Sequence, residues 1–285
     1  MRGRLKVITK SHLSFPLMGL ILLCLSLGCK KAETTAKIDP VFEPAYLKLH
    51  RTGELKKRGQ ELWNIMKSCR LCPRECKVNR LAGEKGFCQA TSELVIVSYH
   101  PHFGEERPLV GRGGSGAILF THCGIRCVFC INWEISQGGM GKPVSVEDLA
   151  QMMLHLQRMG CHNINLVTPT HYSAHILLAL DIAASKGSRL PLVYNNCGWE
   201  RLEILKRLEG VVDIYLPDFK YWDPKMAAKF SSGAENYPEV TKKALLEMQR
   251  QVGVAKTSQD GLMYRGLMIC HLVMSKRYFF SSNKE

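Results

Sequence analysis

The stretch Ala117-Ile-Leu-Phe-Thr-His-Cys123-Gly-Ile-Arg-Cys127-Val-Phe-Cys130 decides the reading of this chain. Its first five residues are mostly apolar and favour an extended backbone, so Ala117–Thr121 reads as a buried strand. Three cysteines follow at CxxxCxxC spacing. Thiolates at such short spacings hold iron–sulfur clusters. Three of them can hold three irons of a [4Fe–4S] cube and leave the fourth iron open. An open iron can chelate the amino and carboxylate groups of S-adenosylmethionine. An electron from the cluster can then cleave the sulfonium and release a 5′-deoxyadenosyl radical. Zinc is the competing reading, but structural zinc normally takes four ligands, often from two CxxC pairs.

Working outward, four more apolar segments follow, each separated from the last by a helical pattern. The strands are read at Asn163–Thr168, Leu190–Asn195, Val211–Leu216 and Gly266–Met274. The helices are read from a Ser145-x-x-Asp148 capping box to about Met159, and over Ser173–Ser185, Glu200–Leu208 and Tyr237–Val252. This alternation predicts an α/β fold of parallel βαβ units with right-handed crossovers. Such sheets carry chemistry at the C-terminal ends of their strands. Polar clusters fall there: Cys123–Cys130, Thr168–His171, Asn195–Cys197, Asp218–Lys220 and His271.

These phrases carry a resemblance. CxxxCxxC with aromatic Phe129, together with CPREC, HCGIRCVFCINWEIS, NINLVTPTHY and DIYLPDFKY, resembles the radical S-adenosylmethionine (radical SAM) superfamily. The branch is an uncharacterised family similar to pyruvate formate-lyase activating enzymes. The resemblance implies a partial (β/α)6 barrel, a [4Fe–4S] cluster held by Cys123, Cys127 and Cys130, and S-adenosylmethionine with its adenine beside Phe129. Thr168-Pro169-Thr170-His171 stands where the superfamily has a GGE-type motif facing the methionyl amine. Asn195-Asn196-Cys-Gly takes the place of an acidic DTNG-like turn. Asp218-Phe-Lys220 resembles a DxK motif whose Lys meets the methionyl carboxylate. Cys270-His271 resembles an RHVV-type strand whose His meets the nucleotide, with Cys in place of Arg. The implied activity is hydrogen abstraction from a protein or peptide substrate, as in glycyl-radical activases. A low-potential, flavodoxin- or ferredoxin-like electron donor is implied as partner.

A second cysteine group precedes the strands: Cys69-x2-Cys72-x3-Cys76-x11-Cys88. It makes a complete S4 set for zinc, a single iron or a second Fe–S cluster, and spacing alone does not choose. A single helix over Ala45–Ser68 leads into it. The remaining Cys161, Cys197 and Cys270 read as packed thiols. Gly111-Arg-Gly-Gly-Ser-Gly116 lacks a P-loop Lys and precedes a strand, so it reads as a turn and not a phosphate cradle.

Composition sets the outer limits. The chain has 285 residues, with 46% hydrophobic and 22% charged, which excludes disorder along its whole length. A mean hydropathy of −0.09 excludes a polytopic membrane protein. The formal charge is +14, but +8 of it lies in residues 1–60. That is a basic leader and first helix, with no aromatic-interleaved basic element of the kind nucleic-acid binders show. Arg2, Arg4, Lys6 and Lys10 precede an apolar run over 17–28 and then Cys29. That order resembles an export signal with a lipoprotein cleavage site. It makes a membrane-anchored lipoprotein the alternative to a cytoplasmic or cytoplasm-facing protein, with membrane contact only through the leader.

The expected organisation is a leader at 1–30, a linker, helix and cysteine-rich module at 31–110, and a barrel at 111–285. The segment after Met274 leaves the barrel truncated after its fifth strand, with that strand as an exposed apolar edge. The truncation and the Cys270 departure motivate a rival function: a catalytically degenerate iron–sulfur or zinc-binding protein. The leader motivates another, a membrane-tethered redox or assembly factor.

Overall fold

The computed structural model describes residues 42–272, so the leader and the segment after Leu272 lie outside the described residues. The chain opens with two short helices, α1 (Tyr46–Arg51) and α2 (Glu54–Ile65). The single helix expected here breaks at Thr52–Gly53, where Gly53 has φ 73°, a backbone that glycine adopts without a Cβ penalty. The cysteine-rich segment leads to β1 (Leu94–His102), a short helix α3 (Arg107–Val110) and β2 (Ser115–Phe120). After the CxxxCxxC loop come α4 (Trp133–Ser136) and β3 (Lys142–Val144). Then α5 (Val146–Arg158), β4 (Ile164–Val167), α6 (Ser173–Ser185) and β5 (Leu192–Asn196) alternate. They continue into α7 (Leu202–Leu208), β6 (Ile214–Phe219), α8 (Pro224–Phe230) and α9 (Tyr237–Val252). Three strands close the described chain: β7 (Lys256–Thr257), β8 (Met263–Leu267) and β9 (Cys270–His271).

The strands order as β3-β1-β2-β4-β5-β6-β8-β7, with β9 also paired to β6. β2, β4, β5, β6 and β8 are mutually parallel. These are the five expected strands, recognisable because apolar runs buried on both faces mark a parallel sheet. The sheet is mixed and open: its outer strands β3 and β7 do not meet. The order matches a partial barrel.

Three features depart from the sequence reading. β1 and β3 extend the sheet antiparallel to β2 and to β1. The fifth strand ends at Leu267 and resumes as β9 beside Asp218 and Phe219. Its outer edge is not bare, since β7 pairs with β8 in the register Lys256↔Arg265.

The core lies between the sheet and its helices. The capping box expected at Ser145 is formed: the Asp148 amide donates to Ser145 Oγ at 3.0 Å and the Ser145 amide to Asp148 Oδ2 at 2.9 Å. Behind it, Leu149, Met153 and Leu156 are buried with Leu177 and Leu180 of α6. Tyr46, Leu55 and Leu62 join the same core, so the N-terminal helices pack into it. Full burial of a Leu stabilises by about 1.5–3 kcal/mol, which fixes α2 against α6. Asp213 adds a polar tie, accepting the amides of Ala45 and Leu192 at 2.8 and 3.0 Å.

Candidate functional site

The cysteine loop leaves β2 through strained backbone. His122 and Arg126 have φ of 70° and 46°, and Thr168 at the end of β4 has φ 59°. Left-handed non-glycine residues are uncommon and collect where a site over-determines the backbone. The loop lies over the C-terminal ends of β2, β4, β5 and β6, above a cavity of about 600 Å³. Cys123, Cys127 and Cys130 line this cavity beside Phe129, and so do Thr168, Asn195, Asn196, Asp218 and Lys220.

The sulfurs stand among donors. Cys123 is within reach of the Ile125 and Arg126 amides. Cys127 Sγ lies 3.0 Å from Ser231 Oγ, and Ser136 Oγ donates to Cys130 Sγ at 3.2 Å. Burial pushes the Cys123 and Cys127 thiols up. A bound cation reverses that preference and deprotonates a coordinating thiol outright. Sulfurs that are buried yet aimed at by N–H and O–H groups therefore suit metal-bound thiolate. Among the described residues no group of three or more His, Cys, Asp or Glu side chains is disposed to hold a single metal ion. A four-iron cube takes each cysteine on a separate iron and needs no such common point.

The opposite wall is polar. Lys220 Nζ is 2.7 Å from Asp218 Oδ2. Burial works against the lysine's charge, but Asp218 outweighs it and the Lys220 pKa is raised. A charged ammonium so held is available to a carboxylate in the cavity. Asn195 Nδ2 donates to Glu105 Oε1 at 3.3 Å, and burial raises the Glu105 carboxyl. Asn196 is committed to its own turn: its Oδ1 accepts the Gly198 amide at 2.7 Å and its Nδ2 donates to the Tyr194 carbonyl.

Other sequence-selected residues fall elsewhere. Pro169, Thr170 and His171 do not line the cavity. His171 is buried with its Nε2 2.7 Å from the Thr121 carbonyl, and burial pushes its pKa down to about 3. It is thus a neutral donor that holds the end of β2. Thr170 donates to buried Glu200. His271 is exposed, with Nδ1 2.6 Å from the Phe219 carbonyl. Cys197, read as a packed thiol, lines the cavity.

The four-cysteine group is compact. Cys72 is coupled electrostatically to Cys88, Cys69 and Cys76. Three of its sulfurs accept backbone amides: Cys72 from Arg74, Cys88 from Ala90, and Cys76 from Phe87 at 3.3 Å.

Sequence reasoning missed Glu105, Ser231 and Tyr237. Tyr237 Oη lies 2.8 Å from the Cys197 carbonyl and 2.9 Å from that of Asp218, and accepts the Lys220 amide. It ties the ends of β5 and β6 together. None of the three has a neighbour in sequence that signals its place.

A family profile described as the Radical SAM superfamily matches residues 117–266. The chain belongs to the radical SAM superfamily. Membership brings a [4Fe–4S] cluster and S-adenosylmethionine as cofactors, and reductive cleavage of the latter as the general chemistry. The chain is 34% identical over 189 residues to the uncharacterized protein MJ0674 of Methanocaldococcus jannaschii. The match covers 63% of this chain and 53% of that protein, so the chain spans about half the length of the curated relative it matches. Among the described residues no helix is long and apolar enough to cross a membrane.

Proposed function

We propose that this radical SAM protein abstracts a hydrogen atom from a protein or peptide substrate, in the manner of glycyl-radical activases, with Cys123, Cys127 and Cys130 holding the cluster. One observation supports this best: the three cysteines share a single cavity with Lys220 and Asn195. When bound, the cluster and S-adenosylmethionine supply a 5′-deoxyadenosyl radical. The residues orient and shield. Lys220, held charged by Asp218, meets the methionyl carboxylate. Thr168 and Asn195 offer polar groups to the methionyl and ribosyl parts, and Phe129 packs by the adenine. The apolar stretch of the wall, Ala117 and Leu119, excludes water, which would otherwise quench a reactive intermediate.

The four-cysteine group is assigned a second Fe–S cluster, on the strength of its amide-bonded sulfurs; a single zinc ion would need a common coordination point that no cysteine set among the described residues offers. The reductant is a flavodoxin- or ferredoxin-like donor, and that requirement places the site on the cytoplasmic side.

The test is anaerobic reconstitution with iron and sulfide, reduction by dithionite, addition of S-adenosylmethionine, and chromatography for 5′-deoxyadenosine. Product is expected from the native chain and not from Cys127→Ala. No product from a chain whose spectrum shows a [4Fe–4S] cluster overturns the reading and favours a degenerate metal-binding protein.

A further inference from the structure

Arg74 lies in the turn Cys72-Pro-Arg-Glu-Cys76, within the four-cysteine group. Its side chain leaves that group. Nε donates to the carbonyl of Gly124 at 2.9 Å, inside the CxxxCxxC loop, and Nη2 to the carbonyl of Ser231 at 3.2 Å. The guanidinium stacks over Phe87, 3.9 Å from its centroid, with Trp199 at 5.0 Å.

Both acceptors belong to the radical site. Gly124 follows Cys123, and a Cβ placed on it would stand 3.5 Å from Cys72 Sγ, so the four-cysteine group lies beside the cluster loop there. Ser231 touches Cys127 Sγ and Tyr221 Oη at 3.0 and 2.8 Å. Its neighbours grip the same loop: the Val128 amide donates to the Phe230 carbonyl at 2.9 Å, and Ser232 Oγ to the Arg126 carbonyl at 3.2 Å. Arg74 thus joins three segments that are far apart in sequence: the four-cysteine turn, the cluster loop and the turn after α8. A planar fork with donors along two edges does this, and an ammonium does not reproduce it. The cation also stands among sulfurs, in electrostatic contact with Cys72, Cys76, Cys123 and Cys197.

We propose that Arg74 is a positioning residue that ties the four-cysteine turn to the radical-cluster loop and makes the cluster easier to reduce. The inference rests on the reading that Cys123, Cys127 and Cys130 hold a [4Fe–4S] cluster. Reduction adds one electron, supplied by a low-potential donor, and so one negative charge to the cluster. A fixed cation beside Cys123 stabilises the reduced form more than the oxidised one. Net charge and hydrogen bonding around the sulfurs are the levers by which a protein tunes such potentials.

The test uses the full chain, reconstituted without oxygen, as wild type, Arg74→Gln and Arg74→Lys. Iron and sulfide per chain are measured, and the reduced cluster is followed by paramagnetic resonance through a dithionite–viologen titration. Arg74→Gln is expected to show a reduced-to-oxidised ratio about tenfold lower at the wild-type midpoint, a shift of about 59 mV to lower potential for one electron. Arg74→Lys keeps the charge and is expected to recover most of the potential while retaining less iron, because the fork is lost. A merely structural role would lower iron content in both variants and leave the potential of the surviving clusters unmoved. That outcome, or Arg74→Gln with wild-type iron and potential, overturns the proposal. If Arg74→Gln does not fold, a shifted potential in Arg74→Lys equal to half the expected step or more refutes the charge argument. No [4Fe–4S] signal in the wild type refutes the function reading and this inference together. A normal wild-type signal with unshifted variants refutes this inference alone.

Discussion

Replacing Gly198 with alanine should damage the site more than any simple backbone penalty predicts. Gly198 closes the turn that carries Asn195, Asn196 and Cys197, and it has φ 76°. A left-handed backbone costs an L-residue roughly 1–2 kcal/mol. The larger effect is steric: a Cβ there would meet the Asp218 carbonyl oxygen at 2.1 Å and Thr241 Cγ2 at 2.8 Å. The first contact is backbone against backbone, so the end of β5 or of β6 must move. Overpacking of that kind costs about 1–3 kcal/mol. We expect a total near 3 kcal/mol, or about 6–12 °C in melting temperature at roughly 2–4 °C per kcal/mol.

Gly187 is the control. It has φ 94° and nothing within 4 Å of its built Cβ, so Gly187→Ala carries the backbone term alone and should fall by about 2–8 °C. Calorimetry of the three apo proteins under argon gives the comparison. In the reconstituted protein, the Gly198 variant should also lose on the order of 100-fold in 5′-deoxyadenosine formation, the scale of a 1 Å misplacement. A Gly198→Ala melting temperature within 2 °C of that of Gly187→Ala would refute the close-approach argument.

Three further outcomes follow from the same geometry. Burial raises Glu200 from 4.5 to about 8, so its folded pKa exceeds its unfolded one. Its contribution to stability is present below about pH 4.5 and is lost as pH rises towards 8, at up to ~1.4 kcal/mol per pH unit. Glu200→Gln should therefore flatten the fall in melting temperature between pH 5.5 and 8, and parallel curves for the two proteins would count against a proton held there. Arg80 is buried, donating to the carbonyls of Thr91 and His171 at 2.6 and 2.7 Å; Arg80→Met leaves both unpaired and should cost about 3 kcal/mol, read as a lower urea midpoint at unchanged slope. Ser231→Ala removes the hydroxyl 3.0 Å from Cys127 and should lower the cluster's potential without loss of iron, measured by the same redox titration.

The sequence alone determined the parallel core and the three cysteines. Both are local signals: runs such as Leu192-Val-Tyr and Ile214-Tyr-Leu are apolar on both faces, and CxxxCxxC lies within eight residues. Its reach ended where burial is one-sided. β1 opens on the apolar run Leu94-Val-Ile-Val97, but it continues into the polar Ser98–His102 and is only partly buried along most of its length, and the sequence reading passed it over.

The site's second half was decided by tertiary structure. Lys220 was legible through its spacing from Asp218, but nothing in sequence separates it from His171, which the fold turns into the core to hold Thr121. Glu105 meets Asn195 across 90 residues, Ser231 meets Cys127 across 104, and Arg74 reaches Ser231 across 157. A hydrogen bond or an ion pair depends on distance in space, and over such separations the chain imposes no periodicity that could record it. The sequence therefore fixes which atoms can carry the chemistry, while the packing of β5, β6 and the turn after α8 fixes which of them face one another.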